Sequence, residues 1–442
     1  MKFPEIYFTS KAYLWVTVLI FIYGLGYFFS ELFYFANFTF ALILFAIILD
    51  YILLFGKHAS VEGIRICPTR LSNGDENPIE IKIINHYRFK IGLCIVDELP
   101  FQFQSRDFEK KMTLEAYKTL SFMYYLRPVK RGEYWFGKLR VFAKSPLELT
   151  ERRFSLEKEK MLPVFPSFIQ MRKYALLAIH NRLVQGGIKK IRKIGSSTDF
   201  DQIKEYVSGD EIKTVNWKAT ARKGRLMVNK YQDEKSQQVY CVLDLGRTMQ
   251  MPFEGMSLLD YAINAALVIS NIASVKGDRP GLISYSHKIH TMLRAEKRNT
   301  QMNHIMEALY NQHTDFTESD AGTLFLQVRK TISQRSLLLL FTNFETVSGL
   351  KRQLPYLRKL AVNHLLVVIF FENTELLKLQ NEKAKDTYDI YYKTIAGKFA
   401  LEKQLIAMEL SACGIQSLFT HPAGLSVNII NKYLELKSRK LI

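Results

Sequence analysis

Basic side chains are concentrated in one stretch of the 442-residue chain, between Arg172 and Lys230. Inside that stretch the motif WKATAR occupies the positions from Trp217 to Arg222, and Lys223 and Arg225 follow it at once. Ammonium and guanidinium groups donate hydrogen bonds to carboxylates and phosphates. These residues therefore offer recognition chemistry, directed at an acidic protein, an anionic lipid surface or nucleic acid.

A contact surface for a partner is predicted around this motif. Its members are Lys204, Tyr206, Asp210, Trp217, Lys218, Arg222, Lys223 and Arg225. A structural interpretation stays open beside this one: Trp217 and Tyr206 would pack a linker helix on a sheet, and Asp210 would cap that helix. A second basic cluster, GIKKIRKIG around Lys189 to Lys193, either contacts anionic lipid or forms a solvated loop.

Enzymatic chemistry lacks its usual sequence signals. The chain contains no Walker A sequence, no GxSxG elbow, no HExxH motif and no dinucleotide fingerprint. The residues that could be drawn as a metal-nuclease cluster are Asp199, Asp201, Lys204 and Glu205. Acidic residues at a helix start are more often a cap and a solvated face. We therefore predict a protein that is not an enzyme, with a metal-dependent hydrolase or nuclease, or a nucleic-acid-binding protein, as the alternatives.

The histidines and cysteines are also scattered. His287, His290 and His304 lie near a predicted strand and helix, where ordinary polar contacts are expected. The four cysteines, at positions 67, 94, 241 and 413, form no CxxC pair, so neither a disulfide framework nor a structural zinc site is indicated. No cofactor and no small-molecule substrate are expected.

The N-terminal residues indicate a membrane anchor, assigned to positions 1–57. Two apolar runs, Ala12 to Phe29 and Leu32 to Phe55, are each long enough to cross a hydrocarbon core of about 30 Å as a helix. Lysines flank the outer ends of the pair, whereas the short connection holds Glu31 and no Lys or Arg. The positive-inside rule then puts both ends of the hairpin in the cytoplasm. The expected location is the cytoplasmic (inner) membrane, multi-pass, with the soluble domains facing the cytoplasm. The formal charge of +19 suits a neighbour of anionic lipid.

Three further segments follow the anchor. Short alternating apolar runs separated by turn clusters predict an immunoglobulin-like β-sandwich over positions 58–150. Positions 151–238 are predicted to be a basic linker that carries the WKATAR motif, with a short helix from Trp217 to Arg222 and Gly224 as its C-terminal cap. From position 239 to 442, apolar strands alternate with helical periods, which predicts an open, doubly wound α/β sheet.

The elements of that α/β domain can be placed in the sequence. Its predicted strands are Val239 to Leu245, Arg279 to Tyr285, Ser336 to Phe341, His364 to Phe371 and Ile415 to Thr420. Its predicted helices are Leu258 to Val275, Met302 to Tyr310, Leu324 to Ile332, Leu350 to Ala361, Tyr388 to Ala412 and Ser426 to Ser438. In an open sheet of this kind a ligand site lies beyond the carboxyl ends of the strands.

These features together resemble a known family. Tyr206, the Gly209-Asp210 pair, the WKATAR motif and the following strand CVLDLGRTM look like the signature of the bacterial domain-of-unknown-function 58 family, and the resemblance extends to the anchor, the β-segment and the C-terminal domain. It implies a von Willebrand A-like (Rossmann-type) domain and, as partner, a MoxR-type AAA+ ATPase. The implied function is that of a membrane-anchored adaptor in a membrane- or envelope-associated assembly process.

The resemblance also implies a position for a metal-ion-dependent adhesion site. The matching residues are Asp244, Thr248, Thr323 and Asn343. Oxygen ligands of this kind suit Mg²⁺. Gly246 and Asn343, however, stand where the adhesion site has a hydroxyl and a second carboxylate, and Arg247 lies close by. We therefore expect a degenerate site that is weak for metal or empty.

Overall fold

The computed structural model describes residues 6–56, 60–105, 108–179, 199–208, 210, 212–232, 236–372, 386–439 and 441. The chain divides into two compact units, Met1–Phe165 and Pro166–Ile442. The Lys189 to Lys193 cluster lies outside the described residues.

Two apolar helices open the first unit as an antiparallel hairpin. Helix α1 spans Ser10–Gly26 and helix α2 spans Ser30–Phe55. Tyr23 and Asn37 join the two helices by a hydrogen bond of 2.8 Å. The Glu31–Phe55 stretch of α2 is long and apolar enough to cross a membrane, and only 11% of its most apolar window is buried; α1 is equally apolar but shorter.

Short strands build the rest of the first unit. They are β1 (Ile6–Phe8), β2 (Val61–Ile66), β3 (Leu71–Ser72), β4 (Asn77–Asn85), β5 (Ile91–Asp97), β6 (Glu109–Leu114), β7 (Thr119–Leu126), β8 (Gly132–Phe136), β9 (Leu139–Lys144), β10 (Thr150–Ser155) and β11 (Lys160–Phe165). Their sheet orders are β1-β10-β9-β5-β6, β2-β4-β7 and β3-β11-β8. Alternating buried and exposed residues, as along β4 and β5, let the apolar faces pack in two core clusters, and Tyr124 packs against both of them.

The end of α2 is part of one of these clusters. Leu54 is fully buried among apolar residues of the sheets, including Ile83 and Val141. The Leu54 carbonyl accepts hydrogen bonds from the Tyr87 hydroxyl at 2.9 Å and from Arg152 Nη1 at 2.7 Å. These donors satisfy a carbonyl in the last turn, where a helix has no partners of its own.

The first unit extends further along the chain than the sequence predicted. We expected the β-sandwich to end at position 150 and a basic linker to begin at 151. Instead β10 and β11 continue its sheets, and the unit boundary follows Phe165. The segment Thr150–Ser155 has the sequence TERRFS, and its half-exposed charged side chains conceal the strand. Strand β1 was also missed; it pairs with β10.

In its described residues, the second unit has ten further strands and contains a larger sheet. Its strands are β12 (Asp199–Glu205), β13 (Met227–Gln232), β14 (Gln238–Asp244), β15 (Pro252–Phe253), β16 (Met256–Ser257), β17 (Arg279–Tyr285), β18 (Ile289–Leu293), β19 (Leu337–Phe341), β20 (Leu365–Phe371) and β21 (Gln416–Thr420). Its helices are α3 (Phe168–Ile179), α4 (Trp217–Lys223), α5 (Leu258–Val275), α6 (Gln301–Tyr310), α7 (Ala321–Thr331), α8 (Val347–Asn363), α9 (Thr387–Ala412) and α10 (Leu425–Ser438).

The large sheet has the strand order β18-β17-β14-β19-β20-β21. All neighbours are parallel except β18, which runs antiparallel to β17 at the edge. One face, with Val242 and Leu340, packs on α7, α8 and α9. Toward the other face, Cys241 Sγ lies 3.7 Å from the Ala266 carbonyl of α5. Helices thus cover both faces of this sheet, as the apolar strand sequences predicted.

A two-stranded ladder precedes the large sheet. Strands β12 and β13 pair antiparallel, with a bulge between Phe200 and Gln202, and α4 lies in the connection between them. The segment predicted to be a linker is therefore a folded β-α-β element. Helix α3 packs on α5 as well, and Ser167 N donates to Asn264 Oδ1 at 2.8 Å.

Candidate interaction surfaces

Helix α4 carries the WKATAR motif and is capped at both ends. Asn216 is its N-cap, with Oδ1 accepting from Ala219 N at 3.0 Å. Gly224 closes the helix with φ of 66°, a left-handed conformation in which a Cβ would be strained. The helix begins at the predicted residue and ends one residue later than predicted, and the predicted C-terminal cap Gly224 is confirmed, but Asp210 does not cap the helix. Asp210 instead closes the preceding turn, accepting from Val207 N at 3.0 Å and from Lys204 Nζ at 2.7 Å.

The side chain of Trp217 points into solvent, with 70% of its surface exposed. Val207, Ile212 and Leu226 are also exposed apolar residues of this β12–α4–β13 element. Tyr206 is only partly buried, and its backbone N donates to Leu226 O at 2.8 Å. Trp217 is thus on the surface, which opposes the alternative in which it packs a helix on a sheet. We call this the motif surface.

Cationic side chains surround the exposed tryptophan. Lys218, Arg222 and Lys223 are exposed on α4. Two other predicted contact residues already have acidic partners: Lys204 pairs with Asp210, and Arg225 with Glu205 at 3.2 Å. Both pairs are partly or largely exposed, so each contributes little to stability. The positive charge that remains available for recognition is therefore concentrated on α4 itself.

A second candidate site lies at the carboxyl ends of β14 and β19. A cleft of about 300 Å³ there is lined by residues that include Asp244, Arg247, Thr248, Ser319 and Asn343. Parallel strands end at the same edge, which is where an open sheet forms its ligand crevice. The structure thus brings together three of the four residues assigned to the adhesion site. Thr323 does not line this cleft; its hydroxyl donates to Asp320 Oδ2 at 2.7 Å on α7.

Three donors hold the buried carboxylate of Asp244. Gly246 N donates to Oδ1 at 2.8 Å, Ser319 Oγ donates to the same oxygen, and Thr342 Oγ1 donates to Oδ2 at 2.6 Å. Burial raises the pKa of Asp244, and these hydrogen bonds lower it by less. Both carboxylate oxygens are therefore already engaged by donors of the protein itself, which would compete with a metal ion for them.

The amide of Asn343 is engaged as well. Lys403 of α9 donates its ammonium group to Asn343 Oδ1 and to the Phe344 carbonyl. Burial lowers the pKa of Lys403 to about 8, and the nearby Glu345 acts in the opposite direction. A cation belonging to the protein itself thus occupies the amide oxygen. Sequence reasoning missed Lys403 because it is distant in sequence from Asn343, on a helix whose pattern showed no feature at this position.

The mouth of the cleft has a small ion-pair network. Glu318 accepts from Arg247 at 3.3 Å and from Arg352 at 3.3 Å, and all three side chains are more than half exposed. Sequence reasoning also missed Ser319 and Glu318, because the loop from Thr314 to Asp320 has no periodicity that predicts where it folds. Its serine and threonine content was the only signal.

His290 belongs to a polar cluster elsewhere in the second unit, with Ser286 and Asp315. His290 Nε2 contacts both Ser286 Oγ at 2.9 Å and Asp315 Oδ2 at 2.8 Å. A Ser-His-Asp triad needs the serine and the carboxylate on opposite ring nitrogens, and Ser286 is fully buried. Across the described part of the chain, no group of three or more His, Cys, Asp and Glu could hold a metal ion.

Comparison with known sequences matches part of the chain to a family. Residues 202–377 match the profile of the family described as protein of unknown function DUF58. The match to the DUF58 family covers less than half of the chain. The matched segment contains the motif surface and the Asp244 cleft, but neither the helical hairpin nor the β-sandwich.

A curated relative shares part of the sequence. The uncharacterized protein YeaD of Bacillus subtilis (strain 168) is 25% identical over 182 residues. That alignment covers 40% of this chain and 45% of YeaD, so the chain spans less than half of this relative.

Solved structures show local likeness only. The CARDB domain of a Pyrococcus furiosus protein, solved in complex with di-metal ions, is 8% identical, with a TM-score of 0.18, over 24% of this chain and 94% of that one. The PKD domain of an M14-like peptidase from a Thermoplasmatales archaeon is 13% identical, with a TM-score of 0.17, over 23% and 92% of the two chains.

Proposed function

We propose that this protein is a non-enzymatic, membrane-anchored adaptor that binds a partner protein through its second unit. The observation that carries the proposal is the exposure of Trp217 on α4 beside Lys218 and Arg222. Tryptophan and arginine are the side chains that most often dominate protein interfaces. Exposed apolar residues with a cationic rim suit an acidic or amphipathic surface on the partner.

The partner in this proposal is a MoxR-type AAA+ ATPase. Family resemblance supports this choice, since the motif surface and the Asp244 cleft both fall within the matched residues 202–377. The second unit is proposed to be a von Willebrand A-like domain. Its doubly wound sheet with one antiparallel edge strand, β18, supports that assignment. The loops at Asp244 and Asn343 would form the second contact with the partner.

The cleft is proposed to act without a metal. Asp244 has donors on both oxygens, and Lys403 donates to Asn343. A Mg²⁺ ion would need oxygen ligands that these donors already occupy, and it would sit near Arg247. Adding millimolar Mg²⁺ should therefore leave the melting temperature of the full chain unchanged. A rise would oppose the proposal, because a ligand bound only by the native state must stabilise it.

The membrane anchor in this proposal is the α1–α2 hairpin. The apolar length of α2 and its exposed side chains support insertion into a bilayer. Helix α5 passes the same length and hydropathy test, but 78% of that stretch is buried in the second unit, so it is a core helix. The excess of lysine at the outer ends of the hairpin supports a cytoplasmic orientation for both units.

Crosslinking capture tests the adaptor proposal directly. Full-length protein is captured from its native membrane with and without ATP, as wild type, Arg222→Glu and Arg335→Glu. Arg335 is an exposed residue of the second unit, between α7 and β19, and gives a matched charge reversal away from α4. We expect an AAA+ ATPase with wild type and with Arg335→Glu, and a loss of capture of tenfold or more with Arg222→Glu. Equal capture by all three proteins would exclude the motif surface as the contact.

A further inference from the structure

One end of the β-sandwich lies against the last turns of α2. We call this end of the two helices the base of the hairpin. Asp50, near the end of α2, is fully buried. Its carboxylate accepts from Leu149 N at 3.1 Å, from Thr150 N at 2.7 Å and from the Thr150 hydroxyl at 2.8 Å, and Ser145 Oγ donates to it as well. The only acid in the apolar part of α2 thus joins the helix to the turn between β9 and β10.

This joint fixes where a bilayer must end. Beyond Asp50, the last turn of α2 belongs to the sandwich core through Leu54. The remaining apolar run from Leu32 to Leu49 is roughly 27 Å long at the rise of an α-helix, close to the thickness of a hydrocarbon core. The headgroup layer then lies level with Asp50 and with the sandwich residues bonded to it.

Two turns of the sandwich lie beside the last turn of α2, which follows Asp50. The turn at 86–90 is held to α2 by the bond from the Tyr87 hydroxyl to the Leu54 carbonyl. The turn at 115–118 is held to the first turn by Asn85, whose N donates to Lys118 O at 3.0 Å and whose Nδ2 donates to Glu115 O at 2.9 Å. Both turns are therefore fixed beside the base of the hairpin.

The side chains on these turns match a lipid headgroup layer. Arg88 and Lys118 are exposed, and 65% of the Tyr117 surface is accessible. Phe8 and Leu147, on neighbouring segments, are exposed apolar residues. Aromatic side chains favour the interface, and Lys and Arg near it are attracted to anionic lipids. Contact with lipid would remove these apolar and aromatic side chains from water, which explains why they are exposed at the base of the hairpin.

We propose that this end of the sandwich, formed by the turns at 86–90 and 115–118, binds the headgroups of anionic phospholipids in the bilayer that takes up α1 and α2. The proposal rests on the membrane insertion proposed above. It adds that the sandwich is fixed at the membrane surface by a folded joint, and that Arg88 and Lys118 select anionic lipid.

Control positions for the experiments lie at the opposite end of the sandwich. Strand β5 runs from Ile91 beside the hairpin to Asp97, a distance of about 20 Å for a strand of this length. Phe101 follows β5 at that far end and is 84% exposed. Lys130 and Lys138 are exposed at the same end, after β7 and before β9.

Depth measurements test the geometry. Nitroxide labels are placed by Leu44→Cys, Tyr117→Cys and Phe101→Cys in full-length protein in which Cys67, Cys94 and Cys413 are serine; Cys241 is buried and is retained. The protein is embedded in nanodiscs of phosphatidylcholine with phosphatidylglycerol. We expect position 44 in hydrocarbon, position 117 at headgroup depth and position 101 in water. If position 44 is in water, the membrane insertion itself is wrong. If the label at position 44 is in hydrocarbon but the label at position 117 is in water, as at position 101, membrane insertion stands and the proposed headgroup contact of the sandwich is overturned.

Lipid selectivity tests the charges. The association constant of spin-labelled phosphatidylglycerol relative to phosphatidylcholine is measured for wild type, Arg88→Gln/Lys118→Gln and Lys130→Gln/Lys138→Gln. One basic residue near a membrane surface contributes about fivefold to association with anionic lipid, so the first variant should lose tenfold or more. The second variant, with the same change in net charge, should keep wild-type selectivity. No selectivity in wild type, or an equal loss in both variants, would overturn the proposal.

Discussion

Single side chains define the two surfaces of the second unit in different ways. Trp217 is functional in our proposal because it is exposed, although burial of a tryptophan would be favourable. Asp244 is the reverse case: it is buried, and it orders the mouth of the cleft by collecting donors from Gly246, Ser319 and Thr342. In this proposal Trp217 contacts the partner directly. Asp244 acts indirectly, by keeping the loops of the cleft ordered.

The Asp244 arrangement makes a prediction for the substitution Asp244→Asn. The amide keeps one acceptor oxygen, so at least one of the three donors must face an NH₂ group. A buried donor left without an acceptor costs about 1–3 kcal/mol. Hydrogen exchange of peptides from β14 and β19 in the full chain should accelerate accordingly. Asp320→Asn is the control, because Asp320 caps α7 and asparagine caps a helix about as well as aspartate. Equal acceleration in the two variants would contradict the special role of Asp244.

Lys403 predicts a pH dependence with a definite sign. Its pKa in the folded protein is about 8, below the ordinary value of 10.5, because burial disfavours the charged form. Between these two values the unfolded chain binds more protons than the native protein. The contribution of Lys403 to the free energy of unfolding must therefore rise with pH from about 8 to about 10.

Melting temperatures at both ends of this pH range check the sign. The change in melting temperature from about pH 8 to about pH 10 should be more positive, or less negative, for wild type than for Lys403→Met, which cannot titrate. Lys398→Met serves as the control, since Lys398 is an exposed residue of the same helix. An identical pH response in wild type and Lys403→Met would mean that Lys403 has an ordinary pKa.

The residues at the cleft show how far sequence reasoning reaches at this scale. Asp244 and Asn343 were predictable because each directly follows an apolar strand, and parallel strands end at one edge. Ser319 was not predictable, since it reaches Asp244 only through the fold of a loop far away in sequence. Thr323 was chosen on sequence similarity alone, and the turn that starts α7 directs its hydroxyl to Asp320 instead.

Among the elements, buried ones were predicted best. Helix α5 and strand β17 have the predicted bounds, because both are largely apolar and largely buried. Strand β18 was missed; it is a short edge strand with the sequence IHTML and half-exposed side chains, so it gives almost no strand pattern. The β12–α4–β13 element was taken for a linker because its basic residues hide a pairing between strands separated by a helix.

Helix α4 depends on its cap because it has only seven residues. Short helices are marginal without capping and packing. Replacing the cap by Asn216→Ala should destabilise α4 by about 1 kcal/mol, whereas Asn216→Ser should retain most of the cap. Hydrogen exchange of a peptide covering 212–226 should accelerate in the alanine variant only, and capture of the partner should weaken in parallel. Faster exchange with undiminished capture would separate helix order from partner binding.

On the scale of the whole molecule, charge and hydropathy are divided along the chain. The apolar hairpin precedes the sandwich, and much of the net charge of +19 lies on the segment between Arg172 and Lys230. A basic protein held at the cytoplasmic face would meet anionic lipid and acidic partners at once, since the surface potential there is negative. The orientation of the hairpin therefore decides whether the proposed partner, a cytoplasmic ATPase, can reach the second unit.

Cysteine accessibility tests this orientation. Phe28 lies in the turn between α1 and α2 and Arg439 follows α10; both are exposed. With Cys67, Cys94 and Cys413 replaced by serine, we expect a membrane-impermeant maleimide to label Phe28→Cys in intact spheroplasts, and to label Arg439→Cys only after the membrane is opened. The physical reason is that the turn and the first residues of α2 carry Glu31 and no basic residue, whereas Lys11 lies at the other end of the hairpin. Labelling of Arg439→Cys in intact spheroplasts would place the second unit outside, where no cytoplasmic ATPase could bind it, and the adaptor proposal would fail even if the hairpin spans the membrane.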